Sequence, residues 1–314
     1  MEQNGPDRQD HIVRAYAADA QVRAFAVTGR DLTEQARLAH GTSATATAAL
    51  GRTMCGALMM ADMLKSAEDL LTIKIDGDGP LGGIVVTADN QGHVKGYVHH
   101  PEADLPERTP GHLDVGGALG RGTLTVIRDL GLKDPYIGQI ALRSGEIAED
   151  LTYYYAESEQ IPSTVGLGVL VGTDLSVLQA GGFVVQLMPG AGENVIAKLE
   201  QNLRALPSVT EMLSAGETPT SMLGKVLECL DPVFTERIPA SFSCNCSRER
   251  CEKGLILLGP DELRSLIEED RDVEMACQFC GRKYVFTRED LVRMLPKAQP
   301  VSRDTLRDEG EALH

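Results

Sequence analysis

The feature that most constrains this chain is a pair of short cysteine motifs near its C-terminus, Cys244-Asn245-Cys246 and Cys277-Gln278-Phe279-Cys280, with 30 residues between Cys246 and Cys277. Within each pair both thiols are close enough to reach one ion. Four thiolates in a tetrahedron suit Zn²⁺, which is soft and brings no geometric preference of its own. The spacing predicts one Zn²⁺ per chain, held by Cys244, Cys246, Cys277 and Cys280. Gly281 follows the second pair and allows the tight backbone turn such a knuckle needs. The competing reading, that some of these cysteines are merely small buried hydrophobes, is the weaker one.

Residues 237–296 read as a compact module around this centre, with Pro260-Asp261 opening one helix and Thr287 capping another. Large apolar residues are few there, so metal binding would supply much of the folding free energy. Two uses of the metal stay open at this point. It could be a closed structural staple, as most four-cysteine sites are. Alternatively, the tight Cys-x-Cys spacing and the thiolate character that zinc imposes could make the centre reactive toward peroxide or hypochlorite, with each pair able to close on itself once the metal leaves. Three further cysteines stand apart: Cys55 and Cys229 fall in apolar segments read as inert helix, and Cys251 lies among arginines that could depress its pKa.

Upstream, residues 33–66 are rich in Ala, Leu and Met without proline and predict long buried helix. Periodicity then switches to two: Leu71, Ile73 and Ile75 alternate with Thr72 and Lys74, the Gly77-Asp78-Gly79-Pro80 cluster turns the chain, and Ile84–Val86 continue as strand. Further strands are expected near 93–98, 123–128, 136–143, 165–173 and 182–188, with a helix around 146–158. Strands cluster without βαβ alternation, so residues 1–190 predict an α+β core domain. Residues 191–236 predict a helical linker. Val195, Ile196, Leu199, Leu203 and Leu206 form one apolar face and Met222, Leu223, Val226, Leu227 and Leu230 another, and both must lie on something, the preceding sheet being nearest to hand. Residues 297–314 form a polar tail.

Several function classes are disfavoured. A formal net charge of −16 repels polyanions, and residues 237–295 hold ten Lys/Arg against eleven Asp/Glu, so a zinc-ribbon nucleic-acid binder lacks its basic patch. The polar opening MEQNGPDRQD does not read as a secretory signal, and the apolar stretches are broken by charges; the expectation is a cytoplasmic protein without a membrane partner. A catalytic Cys-x-x-Cys oxidoreductase would need a thioredoxin-like βαβ setting that the pattern does not offer. His99-His100 read as exposed loop residues, and the Gly116–Gly122 run reads as a loop because it precedes a strand and lacks a Lys-Ser/Thr ending. No Gly-x-Ser-x-Gly or His-Glu-x-x-His motif is present, and no enzyme is predicted.

The sequence resembles the family of redox-regulated heat-shock chaperones of about 33 kDa. The resemblance is carried by Phe242-Ser-Cys244-Asn-Cys246-Ser-Arg-Glu-Arg250-Cys251, Cys277-Gln-Phe-Cys280-Gly281 and Tyr284-Val-Phe286, and upstream by Gly77-Asp-Gly-Pro80, Tyr153 to Ser163 and Gly181 to Pro189. It implies a two-sheet α+β core, a helical linker and a C-terminal zinc module. It also implies an ATP-independent holdase, inactive when reduced and zinc-bound. Oxidant would then disrupt the zinc site, form the disulfides Cys244–Cys246 and Cys277–Cys280, destabilise the linker and expose an apolar surface to unfolding client proteins, with a homodimer as the active form. A short polar N-terminal extension and the tail depart from the family pattern. A constitutive chaperone with purely structural zinc is the most serious rival reading.

Overall fold

The structure is a computed structural model and describes residues 9–109, 111–235 and 237–298. The N-terminal extension and residues 299–314 of the polar tail lie outside the described residues. Two compact units are present, Met1–Ser243 and Cys244–His314.

The first unit is built on two six-stranded sheets. One contains β1 (His11–Ala17), β2 (Val22–Thr28), β8 (Ser163–Val171), β9 (Val177–Leu187) and the short β10 (Val233–Phe234) and β11 (Ile238–Pro239). Its order is β10-β1-β2-β9-β8, with β11 also on β1. The other runs β12 (Ser241–Phe242), β5 (His93–Val98), β4 (Gly83–Asp89), β3 (Leu70–Gly77), β6 (Gly122–Asp129) and β7 (Tyr136–Ala141). The strands expected from alternation are all there. The α+β class and its two sheets follow the sequence reading.

The helix expected over 33–66 is divided into α1 (Arg30–His40) and α2 (Ala44–Ala61). Gly41 ends α1 in the left-handed region at φ 63°, and the Ser43 side chain caps α2 by accepting the Ala46 N–H. Every residue of α2 except Ala44 and Arg52 is buried. A helix apolar all round belongs in a core, and α2 packs on strands of both sheets in one cluster with Ile73, Val86, Val126, Val169 and Val184. Gly51 permits this closeness, since a Cβ there would lie 2.6 Å from Thr33.

Strands β1 and β2 had no sequence signal strong enough to name them. Their connection passes through Ala18, Asp19 and Ala20, all at positive φ, where glycine or asparagine would ordinarily announce a turn. The Gly116–Gly122 run likewise holds a short helix, α3 (Val115–Leu119), which Asp114 caps. The helix expected around 146–158 is α4 (Ala148–Tyr154), continued by a π-helical turn over Tyr155–Glu159. His99 and His100 are exposed, as expected.

Beyond Met188, α5 (Glu193–Ala205), α6 (Val209–Ser214) and α7 (Pro219–Val226) lie on the face of β1, β2 and β9. Val195, Leu199, Met212, Met222, Leu223 and Val226 form a second core with Val13, Ala15, Ala24 and Val185. Ser208 with Glu211 and Thr218 with Ser221 form capping boxes. The buried Asn202 side chain donates to Val226 O at 3.0 Å and Glu228 O at 2.9 Å, tying α5 to the end of α7. These helices form a single layer, and their outer residues Glu193, Ala197, Glu200 and Arg204 are exposed.

Asp10, 3% exposed, caps α1 from across the sheet edge, its Oδ2 accepting the Leu32 N–H at 2.8 Å. Burial pushes its pKa up to about 6, against the lowering pull of the backbone N–H groups of Leu32, Asp31 and Arg30. The folded state therefore holds this proton more tightly than the unfolded chain, and Asp10 costs stability as pH rises from about 4 to about 6. Urea unfolding at pH 4, 5, 6 and 7 should show Asp10→Asn gaining on the parent across that interval and keeping a constant advantage above it. A constant difference from pH 4 upward would refute the placement.

Candidate metal centre

Two local structures bring the cysteine motifs together. Cys244-Asn245-Cys246 sits between β12 and α8 (Arg248–Leu257), whose N-cap Ser247 accepts the Arg250 N–H and so ends the motif sharply. Cys277 and Cys280 occupy the tip of a hairpin between β13 (Val273–Ala276) and β14 (Lys283–Phe286). There the Gly281 N–H donates to Cys277 O at 2.8 Å and the Cys277 N–H to Arg282 O at 2.9 Å. Gly281 stands at φ 69°, the tight turn expected of it.

The four sulfurs lie within 4.8 Å of one another and could hold a metal ion. Cys244 Sγ is 3.7 Å from Cys277 Sγ, and Cys246 Sγ is 3.4 Å from Cys280 Sγ. Each thiol of one motif thus faces a thiol of the other, as corners of a shared polyhedron do. All four are half-buried, which admits solutes while lowering the local dielectric. The all-sulfur donor set is that of a closed soft-metal site.

In the metal-free thiols, burial pushes Cys244 up to about 12 and raises Cys280. Cys246 goes the other way, down to about 7: burial opposes this, but hydrogen bonds from Tyr284 and from the other three thiols outweigh it. Tyr284 Oη lies 3.2 Å from Cys246 Sγ, and a phenol at that distance donates to the sulfur once it is a thiolate. The tyrosine entered the sequence reading only as part of an aromatic strand; its alternation with Val285 places it and Phe286 on one side.

Arg248 was also missed as a structural residue. Its guanidinium donates to Val285 O at 2.6 Å and Asp290 Oδ2 at 2.7 Å and lies 4.4 Å from the Phe286 ring centroid. Two residues from Cys246, it binds the first motif's helix to the second motif's hairpin. Asp290 in turn closes the Thr287 capping box of α10 (Arg288–Met294), and the Thr287 backbone N–H is the largest influence holding its carboxyl low. The helix opened by Pro260 is α9 (Pro260–Glu268). Among the described residues the module buries five apolar side chains, Leu255, Leu263, Phe286, Leu291 and Met294, with half-buried ones such as Ile267, Val273 and Met275 packed against them.

The other cysteines fall outside the cluster. Cys55 is fully buried and burial pushes its thiol up, as an inert packing residue should be. Cys229 corrects its reading as buried helix: α7 ends at Val226, and Cys229 is exposed at φ 61°. Cys251, on α8, is raised by burial and by Cys246 and Cys277, so the arginines beside it in sequence do not depress it.

A two-sheet α+β unit followed by a small module that gathers four cysteines at one point defines a class of protein, a mixed domain carrying a C-terminal thiolate centre. Among known proteins, the family model described as Hsp33 protein matches residues 10–287. A 33 kDa chaperonin of Ruminiclostridium cellulolyticum is 51% identical over 282 residues, covering 90% of this chain and 96% of its own. One from Agathobacter rectalis is 49% identical, with 91% and 99% covered. The crystal structure of the 33 kDa chaperonin, a heat shock protein 33 homolog, from Thermotoga maritima matches with a TM-score of 0.87 at 36% identity, covering 92% of this chain and 99% of that one. The chain belongs to the Hsp33 family of chaperones.

Replacing Cys277 or Cys280 by Ser should weaken metal binding when the chain is titrated with a thiophilic divalent cation such as Zn²⁺ and open residues 244–298 to protease, because three thiolates do not close the site. Full zinc stoichiometry with unchanged protease resistance would overturn the assignment of these ligands.

Proposed function

We propose that this chain is a redox-regulated, ATP-independent holdase that protects unfolding proteins in the cytoplasm. The observation carrying this reading is the convergence of Cys244, Cys246, Cys277 and Cys280 within 4.8 Å in a member of a chaperone family. In the reduced state these four would hold one Zn²⁺. When bound, zinc would keep the sulfurs as thiolates and add the cross-link that a core of five side chains lacks.

Peroxide then oxidises the cysteines. Each pair of thiolates gives up two electrons, which with two protons from solvent reduce one peroxide to two waters; an S–S bond forms, the peroxide O–O bond breaks, and the ion would leave as Zn²⁺. The thiols closest in the folded module belong to different motifs, 33 and 34 positions apart in sequence. Once the ligands are spent and the module loosens, closing those long loops is entropically costly, whereas partners two or three positions apart remain together. This favours the pairing that the family resemblance implies, Cys244–Cys246 and Cys277–Cys280.

The linker, residues 191–236, would be the responsive element and residues 237–296 the redox-switch domain. The linker's single layer of helices covers apolar positions of β1, β2 and β9. Peeling it back would present that face to apolar segments of unfolding clients without sequence selectivity. The same exposed face would favour a homodimer in the oxidised state.

The test is suppression of aggregation of a thermally unfolding client, before and after peroxide at raised temperature, with zinc release followed in parallel by a chromogenic chelator. Activity should be low in the reduced chain, rise with zinc release and fall again with thiol reductant. Equal activity before and after oxidation would instead support a constitutive chaperone with structural zinc.

A further inference from the structure

Just before the first cysteine motif the chain crosses the edges of both sheets of the first unit. Strand β11 pairs antiparallel with β1, placing Ile238 opposite Ile12 and Pro239 opposite His11. Two residues on, β12 pairs parallel with β5, placing Ser241 opposite His93 and Phe242 opposite Val94. The backbone N–H of Ala240 donates to Asp10 O at 2.8 Å, that of Ser241 to Gly92 O at 2.9 Å, and that of Ser243 to Val94 O at 2.8 Å. Side chains alternate along this clip: Ile238, Ala240 and Phe242 turn inward while Pro239, Ser241 and Ser243 are exposed. Ile238 and Phe242 pack on the main core.

The receiving edge is shaped for such a strand. Gly92, at φ 85°, has no Cβ where one would lie 2.0 Å from Pro239 O. Along β5, the carbonyls of residues 92 and 94 take the clip's amides, and the next on that side, Gly96 O, is met by His40 Nε2 at 3.0 Å. The His40 ring also meets Phe242 edge-on at 6.4 Å, so it marks the end of the strand site. What the site reads of its occupant is backbone amides plus an aliphatic and an aromatic side chain four positions apart.

We infer that residues 238–243 occupy a strand-addition site in the reduced state, and that an extended segment of an unfolding polypeptide, with an aliphatic and an aromatic residue at that spacing, replaces them after oxidation. The inference rests on the redox reading above and names how a client is bound. Ser243 is followed directly by Cys244, so the clip's C-terminal anchor is the metal centre itself. Two-residue strands hold few hydrogen bonds and open locally once an anchor slackens. The bared edges of β1 and β5 are then templates for strand pairing. Recognition through amides and two apolar side chains suits an unfolded chain, which offers both, over a partner of defined surface.

The test uses a fluorescently labelled hexapeptide of the sequence 238–243 and the full chain. Anisotropy should show binding to the peroxide-treated, zinc-released chain and binding weaker by roughly tenfold or more to the reduced zinc-loaded chain. Methylating the peptide nitrogens that correspond to Ser241 and Ser243 should weaken binding by roughly tenfold for each hydrogen bond lost. Phe242→Ala, which loosens the clip without touching the cysteines, should let the reduced zinc-loaded chain bind the peptide. Equal binding of methylated and unmethylated peptide, or equal binding in both redox states of the parent, would overturn the inference. So would an oxidised dimer that the peptide disperses, since the occupant would then be a second copy. Holdase activity that rises on oxidation without peptide binding would remove this site and leave the switch reading intact, whereas peptide binding that rises on oxidation without any holdase activity would do the reverse.

Discussion

Among the described residues the second unit buries five apolar side chains with a ring of half-buried ones around them, a small core for a module of this size, and Arg248 and the Asp290 capping box add polar ties at its surface. The convergence of four sulfurs is therefore the interaction on which the second unit depends. A metal at that point cross-links the approach to α8 with the β13–β14 hairpin. The thiolates that would make the cross-link are also the groups an oxidant would attack, so on the proposed reading structural support and chemical sensitivity reside in the same atoms.

The first unit answers to a different constraint. Its main core is dense, with α2 buried between strands of both sheets, and the four clustered cysteines contribute nothing to it. The layer formed by α5, α6 and α7 is thinner: it rests on one sheet face, is exposed outside, and is tied to itself through Asn202. Beyond it the strands of the chain before Cys244 are two residues long each, backed by Ile238, Ala240 and Phe242 against the main core. Short elements resting on one face are the ones that open first when an anchor is lost, as the proposed switch would require.

Much of this was legible from the residues. Strands β3 to β9 announce themselves by alternation and by turn clusters such as Gly77-Asp78-Gly79-Pro80, and the four ligand candidates by spacing alone. What stayed hidden had physical reasons. Strands β1 and β2 are joined through alanine and aspartate at positive φ, and β10 to β12 are too short to show a period. Cys229 follows an apolar helical run but stands past the point where the helix ends. Arg248 looks like one arginine among several, and its place over Phe286 depends on a contact between elements 38 positions apart in sequence.

The most direct measurement of the central claim is amide hydrogen exchange across the full chain, reduced and zinc-loaded against peroxide-treated with zinc release confirmed. The account predicts that residues 193–226 lose protection along with residues 244–298, while β3, β4 and β6 stay protected. Unchanged protection of residues 193–226 after complete zinc loss would contradict it, because the thiolate centre would then support its own module and nothing else.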